Sequence, residues 1–142
     1  MAEKPVIGIL LGDAAGVGPE LVAKCAAARF YEEFCRPVII GDLRVLERAL
    51  AVIQADGQVK LQVIDNMEDA DWHKGLPVLD QKNLDPEKVP FGTKTVESGK
   101  ACLDMLKLGV ELWQERKISG YVFGPLNKAG MHEAGLELES EH

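Results

Sequence analysis

PVIGILLGDAAGVGPE, residues 5–20, places a short apolar run directly before a glycine-rich turn. Residues 5–11 carry no charge, which is typical of a strand buried on both faces of a parallel sheet. From Pro19 onward the apolar residues follow a helical period. Pro19 and Glu20 both suit the first turn of a helix, because that end has unpaired N–H groups and a positive partial charge. The stretch therefore predicts a strand, a tight turn and a helix.

The same alternation continues along the chain. Residues 37–41 (PVIIG) predict a second buried strand, and Asp42 can cap the helix that follows it. Further strands are predicted at residues 59–65, 76–79 and 120–123, with a helix over 95–116 and mostly loop over 66–92. The candidate buried residues of the long helix are Ala101 or Cys102, Met105, Val110 and Trp113. Strands that alternate with helices indicate an α/β sandwich with a largely parallel sheet.

Composition restricts the class of protein. The 142 residues suffice for one domain, and the 46% hydrophobic and 27% charged content is typical of a globular protein. A net charge of −7 argues against a nucleic-acid partner, because phosphate backbones bind to basic faces. We expect neither a membrane span nor a signal peptide, and the three cysteines, without CxxC spacing, fit a reducing compartment. The expected location is the cytoplasm.

The glycine-rich turn is the first candidate site. It lies between a buried strand and a helix, which is where α/β folds bind ligands. Gly12, Gly16 and Gly18 would let a ligand approach the main chain, and Asp13 would help them to shape the floor of a cleft. The spacing matches neither GxGxxG nor the P-loop. The alternative is a tight turn with no ligand, in which the glycines serve the turn alone.

The second candidate site follows the strand at residues 120–123, in the segment GPLNK at 124–128. Asn127 and Lys128 would then lie at the carboxyl edge of the sheet, where an ammonium group can bind a phosphate or carboxylate. The alternative is that Asn127 caps a following helix and Lys128 is a solvated surface lysine.

The third candidate is the acidic segment at residues 137–142, which ends in Glu141-His142. His73, His132 and His142 have no recognisable ligand spacing, so this chain by itself predicts no metal site.

Three segments resemble one enzyme family, in the right order along the chain. Residues 12–20 resemble GDPAGIGPE, the opening signature of the 4-hydroxythreonine-4-phosphate dehydrogenase family. Residues 38–42 (VIIGD) resemble its second strand and Gly-Asp turn. Residues 124–128 with His132 and Ala134-Gly135 are similar to its APLNK segment and the His and Ala-Gly that follow. The resemblance spans most of the chain.

The resemblance implies a function that the residues alone do not show. The family oxidises a secondary alcohol of a phosphorylated, threonine-like substrate, with decarboxylation, using NAD or NADP and a divalent metal such as Zn²⁺, Mg²⁺, Mn²⁺ or Co²⁺. It implies a homodimer, and a fold like that of isocitrate and isopropylmalate dehydrogenases. The three metal-binding histidines come from later segments of the family. Residues 1–142 would therefore be an N-terminal part that is inactive alone.

Two departures from the family pattern affect the site. Ala14 replaces the family's proline after Gly-Asp. The family's Gly-His-Thr-Glu substrate motif places its His and Thr on Glu141 and His142, or its His on His142 after a one-residue shift. The Thr is unmatched, so a related branch that acts on a phosphothreonate is a further possibility. Asn127, Lys128, Glu141 and His142 are the predicted substrate-binding residues. The alternatives are a phosphate acyltransferase and a non-catalytic phospho-ligand-binding domain.

Overall fold

The structure is a computed structural model, and it describes residues 3–90, 92–93 and 95–123. Strands and helices alternate through these residues, as the sequence predicts. The strands are β1 Val6–Leu10, β2 Arg36–Gly41, β3 Leu61–Ile64, β4 Leu76–Asp80 and β5 Gly120–Phe123. The helices are α1 Gly18–Ala27, α2 Leu43–Val52 and α3 Val96–Gln114, with short 3₁₀ turns at Phe30–Glu33, Met67–Asp69 and Pro86–Lys88.

The strands form one parallel sheet in the order β3-β4-β2-β1-β5. β1 lies between β2 and β5, so that Leu10 pairs with Ile40 on one side and with Phe123 on the other. α3 carries the chain from β4 across β2 and β1 to β5. Because all these strand pairs are parallel, their carboxyl ends meet at one edge of the sheet.

The core lies between the sheet and helices on its two faces. Leu10, Ile39, Ile40 and Leu46 are fully buried in it. α1 contacts α2, whereas α3 packs on β1, β2 and β5. A Cβ added at Gly109 of α3 would lie 3.6 Å from side-chain atoms of Leu10 and Tyr121, so the missing side chain lets α3 approach the sheet. The predicted α/β/α sandwich with a parallel sheet is confirmed.

The buried face of α3 differs from the prediction at its end. Ala101, Cys102 and Met105 are buried as expected, but Trp113 is 52% exposed, and Leu112 is buried in its place. Each helical residue is rotated by about 100° from the one before it, so Leu112 and Trp113 cannot share a face. A large aromatic residue is therefore a poor guide to the buried side of a helix when a neighbouring leucine fits the spacing.

Candidate functional site

The glycine-rich loop, residues 12–18, leaves the carboxyl end of β1 as predicted. Gly12 has φ of +82°, a conformation that glycine adopts without strain. The Asp13 carboxylate is buried, and its Oδ1 accepts a hydrogen bond from the Ala15 N–H at 2.9 Å. The Gly16 N–H donates to the Asp13 carbonyl oxygen at 3.0 Å. Asp13 therefore holds the turn closed, which assigns this carboxylate to shaping the loop.

The loop leads into the N-terminus of α1, at the same edge of the sheet. Val17 is the N-cap residue and gives no side-chain hydrogen bond to the helix. Pro19 and Glu20 occupy the first turn, as the sequence predicts. Because no side chain caps this end, its N–H groups and their positive partial charge remain directed at the carboxyl edge.

A second group of contacts joins the ends of β2 and β4. Asp42, which follows β2, caps α2 by accepting from the Arg44 N–H at 2.9 Å, and it also accepts from the Leu84 N–H at 2.8 Å. Asp80, at the end of β4, accepts from the Leu43 N–H at 3.0 Å. The two carboxylates thus hold the loops after neighbouring strands against each other.

The Asp42 carboxylate stays ionised although it is only 4% exposed. Burial alone would raise its pKa, but hydrogen bonds from the Arg44 side chain and from the N–H groups of Leu84 and Arg44 outweigh burial. The pKa of Asp42 is therefore lowered from its ordinary value. The carboxylate acts as a structural acceptor, not as a general acid near neutral pH.

The lowered pKa makes stability depend on pH. The folded protein holds Asp42 ionised more strongly than the unfolded chain does, so the contribution is present above about pH 4. It is lost as the pH falls through the folded pKa. We expect the free energy of unfolding to drop more between about pH 4 and pH 2.5 in the native chain than in Asp42→Asn, measured by urea denaturation. Equal drops would show that Asp42 does not contribute.

Two cavities lie at the carboxyl edge of the sheet, and a groove lies at its other end. A void of about 10 Å³ lies beneath the glycine-rich loop, lined by Gly12, Asp42, Leu84 and Met105 among others, and it has room for no more than one water molecule. A cleft of about 280 Å³ lies between the ends of β3 and β4 and the side of α3, with Asp80 and Glu111 in its walls. A groove of about 310 Å³ lies at the other end of the sheet, by Trp72 and the start of β4.

The predicted substrate-binding residues lie outside the described residues. Asn127, Lys128, Glu141 and His142 belong to residues 124–142, and the structure tests none of them. The structure does show where β5 ends. Phe123 pairs with Leu10 of β1, so the chain leaves β5 next to the start of the glycine-rich loop. Within residues 3–90, 92–93 and 95–123, no group of three or more His, Cys, Asp or Glu side chains is arranged to hold a metal ion.

Sequence reasoning missed one part of this edge, the loop after β4. The Gly92 N–H donates to the Ala15 carbonyl oxygen at 2.8 Å, which places the loop against the glycine-rich loop. The prolines and scattered charges of residues 66–92 indicated a loop but not its neighbour. Asp85, which caps the 3₁₀ turn at Pro86, is the local signal that this loop is ordered.

Gly12 and Gly16 differ in what the fold requires of them. The positive φ of Gly12 strains any other residue, so we expect Gly12→Ala to lower the free energy of unfolding by about 1 kcal/mol. A Cβ at Gly16 would meet Asp13 atoms at an ordinary 3.7 Å, and its φ is not positive. Gly16→Ala is therefore the control, with an expected change within about 0.5 kcal/mol. Denaturant unfolding measures both, and an equal loss in the two variants would contradict this distinction.

The fold and the edge define a class: an α/β sandwich whose loops at the carboxyl edge follow parallel strands. The sequence profile of the family described as pyridoxal phosphate biosynthetic protein PdxA matches residues 33–142. The chain belongs to this family, as its three resembling segments predict.

Three relatives show the extent of the similarity. The D-threonate 4-phosphate dehydrogenase of Cupriavidus necator is 37% identical over 131 residues, which cover 92% of this chain and 39% of that protein. The crystal structure of the 4-hydroxythreonine-4-phosphate dehydrogenase of Burkholderia phymatum has a TM-score of 0.89 at 35% identity, over 99% of this chain and 42% of that one. The enzyme of the same name from Klebsiella pneumoniae has a TM-score of 0.82 at 26% identity, over 94% and 40%.

The chain spans about 40% of the length of the curated relatives that it matches. Among the described residues, no helix is both long and apolar enough to cross a membrane.

Proposed function

We propose that residues 1–142 form the N-terminal side of the substrate cleft of an NAD- or NADP-dependent dehydrogenase that acts on a phosphorylated, threonine-like substrate. The observation that carries the proposal is the family match over residues 33–142, together with relatives that are named as dehydrogenases of such compounds. The loops at the carboxyl edge support it, because this edge is where α/β folds bind small molecules.

The names of the relatives narrow the substrate class. D-threonate 4-phosphate and 4-hydroxythreonine 4-phosphate share a four-carbon skeleton, a carboxylate, a secondary alcohol and a terminal phosphate. Oxidation transfers a hydride from the carbinol carbon to the nicotinamide and releases the hydroxyl proton. The ketone formed beside the carboxylate-bearing carbon can then accept the electron pair that loss of CO₂ leaves behind. A divalent metal, when bound, would polarise the developing carbonyl.

We assign this chain binding and shaping roles, because the family resemblance implies that the metal-binding histidines come from later segments of the intact enzyme. Lys128 and Asn127 would bind the anionic end of the substrate, since an ammonium group and an amide can both donate to phosphate oxygens. Glu141 and His142 would recognise the rest of the substrate. The glycine-rich loop would form the floor of the cleft, beside the strand that leads to Lys128. The complete enzyme would be a homodimer.

A chimera tests the proposal. Residues 1–142 of this chain are fused to the part of the Cupriavidus necator enzyme that follows its matched segment, and NADH formation is measured with D-threonate 4-phosphate or 4-hydroxythreonine 4-phosphate and Mg²⁺, Mn²⁺, Zn²⁺ or Co²⁺. We expect turnover by the chimera and none by the 142-residue chain alone.

The controls give each outcome a meaning. The intact Cupriavidus necator enzyme shows that the assay works, and circular dichroism shows whether the chimera is folded. A folded chimera that produces no NADH beside an active parent would refute the proposed function. Robust turnover by residues 1–142 alone would refute the inference that this chain is one part of a cleft. Coenzyme A-dependent acyl transfer by the chimera, without NADH, would favour the phosphate acyltransferase alternative.

A further inference from the structure

The side chain of Arg48 binds main-chain oxygens of two different loops. Arg48 lies in the second turn of α2 and is partly buried. Its Nη2 donates to the Ala14 carbonyl oxygen at 2.8 Å. Its Nη1 donates to the carbonyl oxygens of Pro86 and Val89, both at 2.8 Å. Three charge-assisted hydrogen bonds of this length fix the acceptors strongly.

The position of α2 explains how one residue reaches both loops. α2 follows β2, and β2 lies between β4 and β1 in the sheet. Ala14 belongs to the glycine-rich loop after β1, whereas Pro86 and Val89 belong to the loop after β4. The hydrogen bond from the Gly92 N–H to the Ala15 carbonyl oxygen joins the same two loops directly. Arg48 therefore lies beneath the point where the two loops meet.

The chemistry of the contact suits arginine in particular. Ala14 and Val89 lie outside strands and helices, so their carbonyl oxygens need donors from elsewhere in the fold. The Pro86 carbonyl oxygen also accepts from the Val89 N–H at 3.1 Å within the 3₁₀ turn. A guanidinium group presents several N–H donors on separate nitrogens in a fixed plane, and it remains charged at any physiological pH. Lysine carries its donors on one nitrogen atom, which cannot reproduce the spacing of two nitrogens.

We propose that Arg48 is a positioning residue for the candidate site: it holds the glycine-rich loop and the loop after β4 (residues 86–90 and Gly92) as one unit at the carboxyl edge. The inference that this unit forms a wall of the substrate cleft rests on the proposed function. The unit itself can be tested without activity, so its failure is distinguishable from failure of the dehydrogenase proposal.

Amide hydrogen exchange of the full chain tests the proposal through Arg48→Met, which replaces the aliphatic part of the side chain and removes its donors. We expect exchange of the Gly92 N–H to accelerate by about tenfold or more beyond any acceleration at Ile9 and Ile39, which lie in the core strands. Arg48→Lys is expected to leave the Gly92 N–H less protected than in the native chain. Glu47→Met, at the exposed neighbouring position of α2, is the matched control. We expect it to leave amide exchange at Gly92 and in the core strands unchanged.

Any of three results would overturn the positioning role. A uniform acceleration of Gly92, Ile9 and Ile39 in Arg48→Met would show that Arg48 contributes only to global stability. Unchanged exchange at Gly92, or full protection restored by Arg48→Lys, would show that the two loops do not depend on the guanidinium group.

Discussion

Replacing Gly41 with alanine is expected to lower the free energy of unfolding by about 3 kcal/mol. Gly41 ends β2 with φ of +152°, and a Cβ there would lie 2.7 Å from Leu11 Cδ1 and 3.0 Å from Leu11 Cγ. Leu11 is 1% exposed and leads directly into the glycine-rich loop, so it has little room to move aside. The cost combines main-chain strain with overpacking, and the displaced Leu11 would also disturb the loop.

Gly57→Ala is the control that separates the two causes. Gly57 has φ of +80°, but nothing lies within 4 Å of a Cβ placed there. We expect this variant to lose about 1 kcal/mol, from strain alone. Urea denaturation of both variants gives the comparison. Equal losses would show that the contact between Gly41 and Leu11 does not limit this position.

Asp42→Ala is expected to destabilise the fold by a similar amount, about 3 kcal/mol. The substitution removes the N-cap of α2, which costs about 1 kcal/mol. It also leaves the N–H of Leu84, a buried residue, without its acceptor, which lowers the free energy of unfolding by about 1–3 kcal/mol more. The loss of both contacts weakens the link between the loop after β4 and the start of α2, which Asp80 and Arg48 still join.

Two further variants sharpen this result. Asp85→Ala removes a cap of the same type, because Asp85 accepts from the Glu87 N–H, but at an exposed turn. We expect it to lose about 1 kcal/mol or less. Asp42→Asn keeps one acceptor oxygen and should fall between the native chain and Asp42→Ala. If Asp42→Ala were no worse than Asp85→Ala, the bridge to Leu84 would contribute nothing to stability.

Local sequence patterns predicted most of the elements. The uncharged runs at residues 5–11 and 37–41 became the neighbouring interior strands β1 and β2, because such runs suit strands that are buried on both faces. Asp42 after Gly41 predicted a helix cap, and its side chain caps α2. The predicted helix over 95–116 begins at a capping box of Thr95 and Ser98, which the structure adds to the prediction. These signals act over a few residues, which is why they can be read from sequence.

The arrangement of the elements depends on contacts that sequence spacing does not reveal. β4 is inserted between β3 and β2, although the chain reaches β3 first. The prolines of residues 66–92 obscured the fact that part of this segment packs against the glycine-rich loop. Arg48 looked like an ordinary polar position of an amphipathic helix, because its carbonyl partners lie 34 to 41 residues away in sequence.

The candidate site, too, was predicted only in part from the sequence. The glycine-rich loop could be placed from sequence, since a buried strand followed by a helix puts the intervening turn at the carboxyl edge. The role of Asp13 in closing that turn required the structure. The substrate-binding roles of Asn127, Lys128, Glu141 and His142 come from the resemblance and stay predictions.

The central claim, that the carboxyl edge of this sheet binds a phosphorylated substrate, is tested most directly by Lys128→Ala in the active chimera. The measurement is kcat/KM for D-threonate 4-phosphate, beside Lys100→Ala, which removes an exposed lysine of α3. The expected result is a loss of about tenfold or more for Lys128→Ala, since a charge-assisted hydrogen bond to phosphate is removed, and no loss for Lys100→Ala. Equal kcat/KM values for the two variants would contradict the claim.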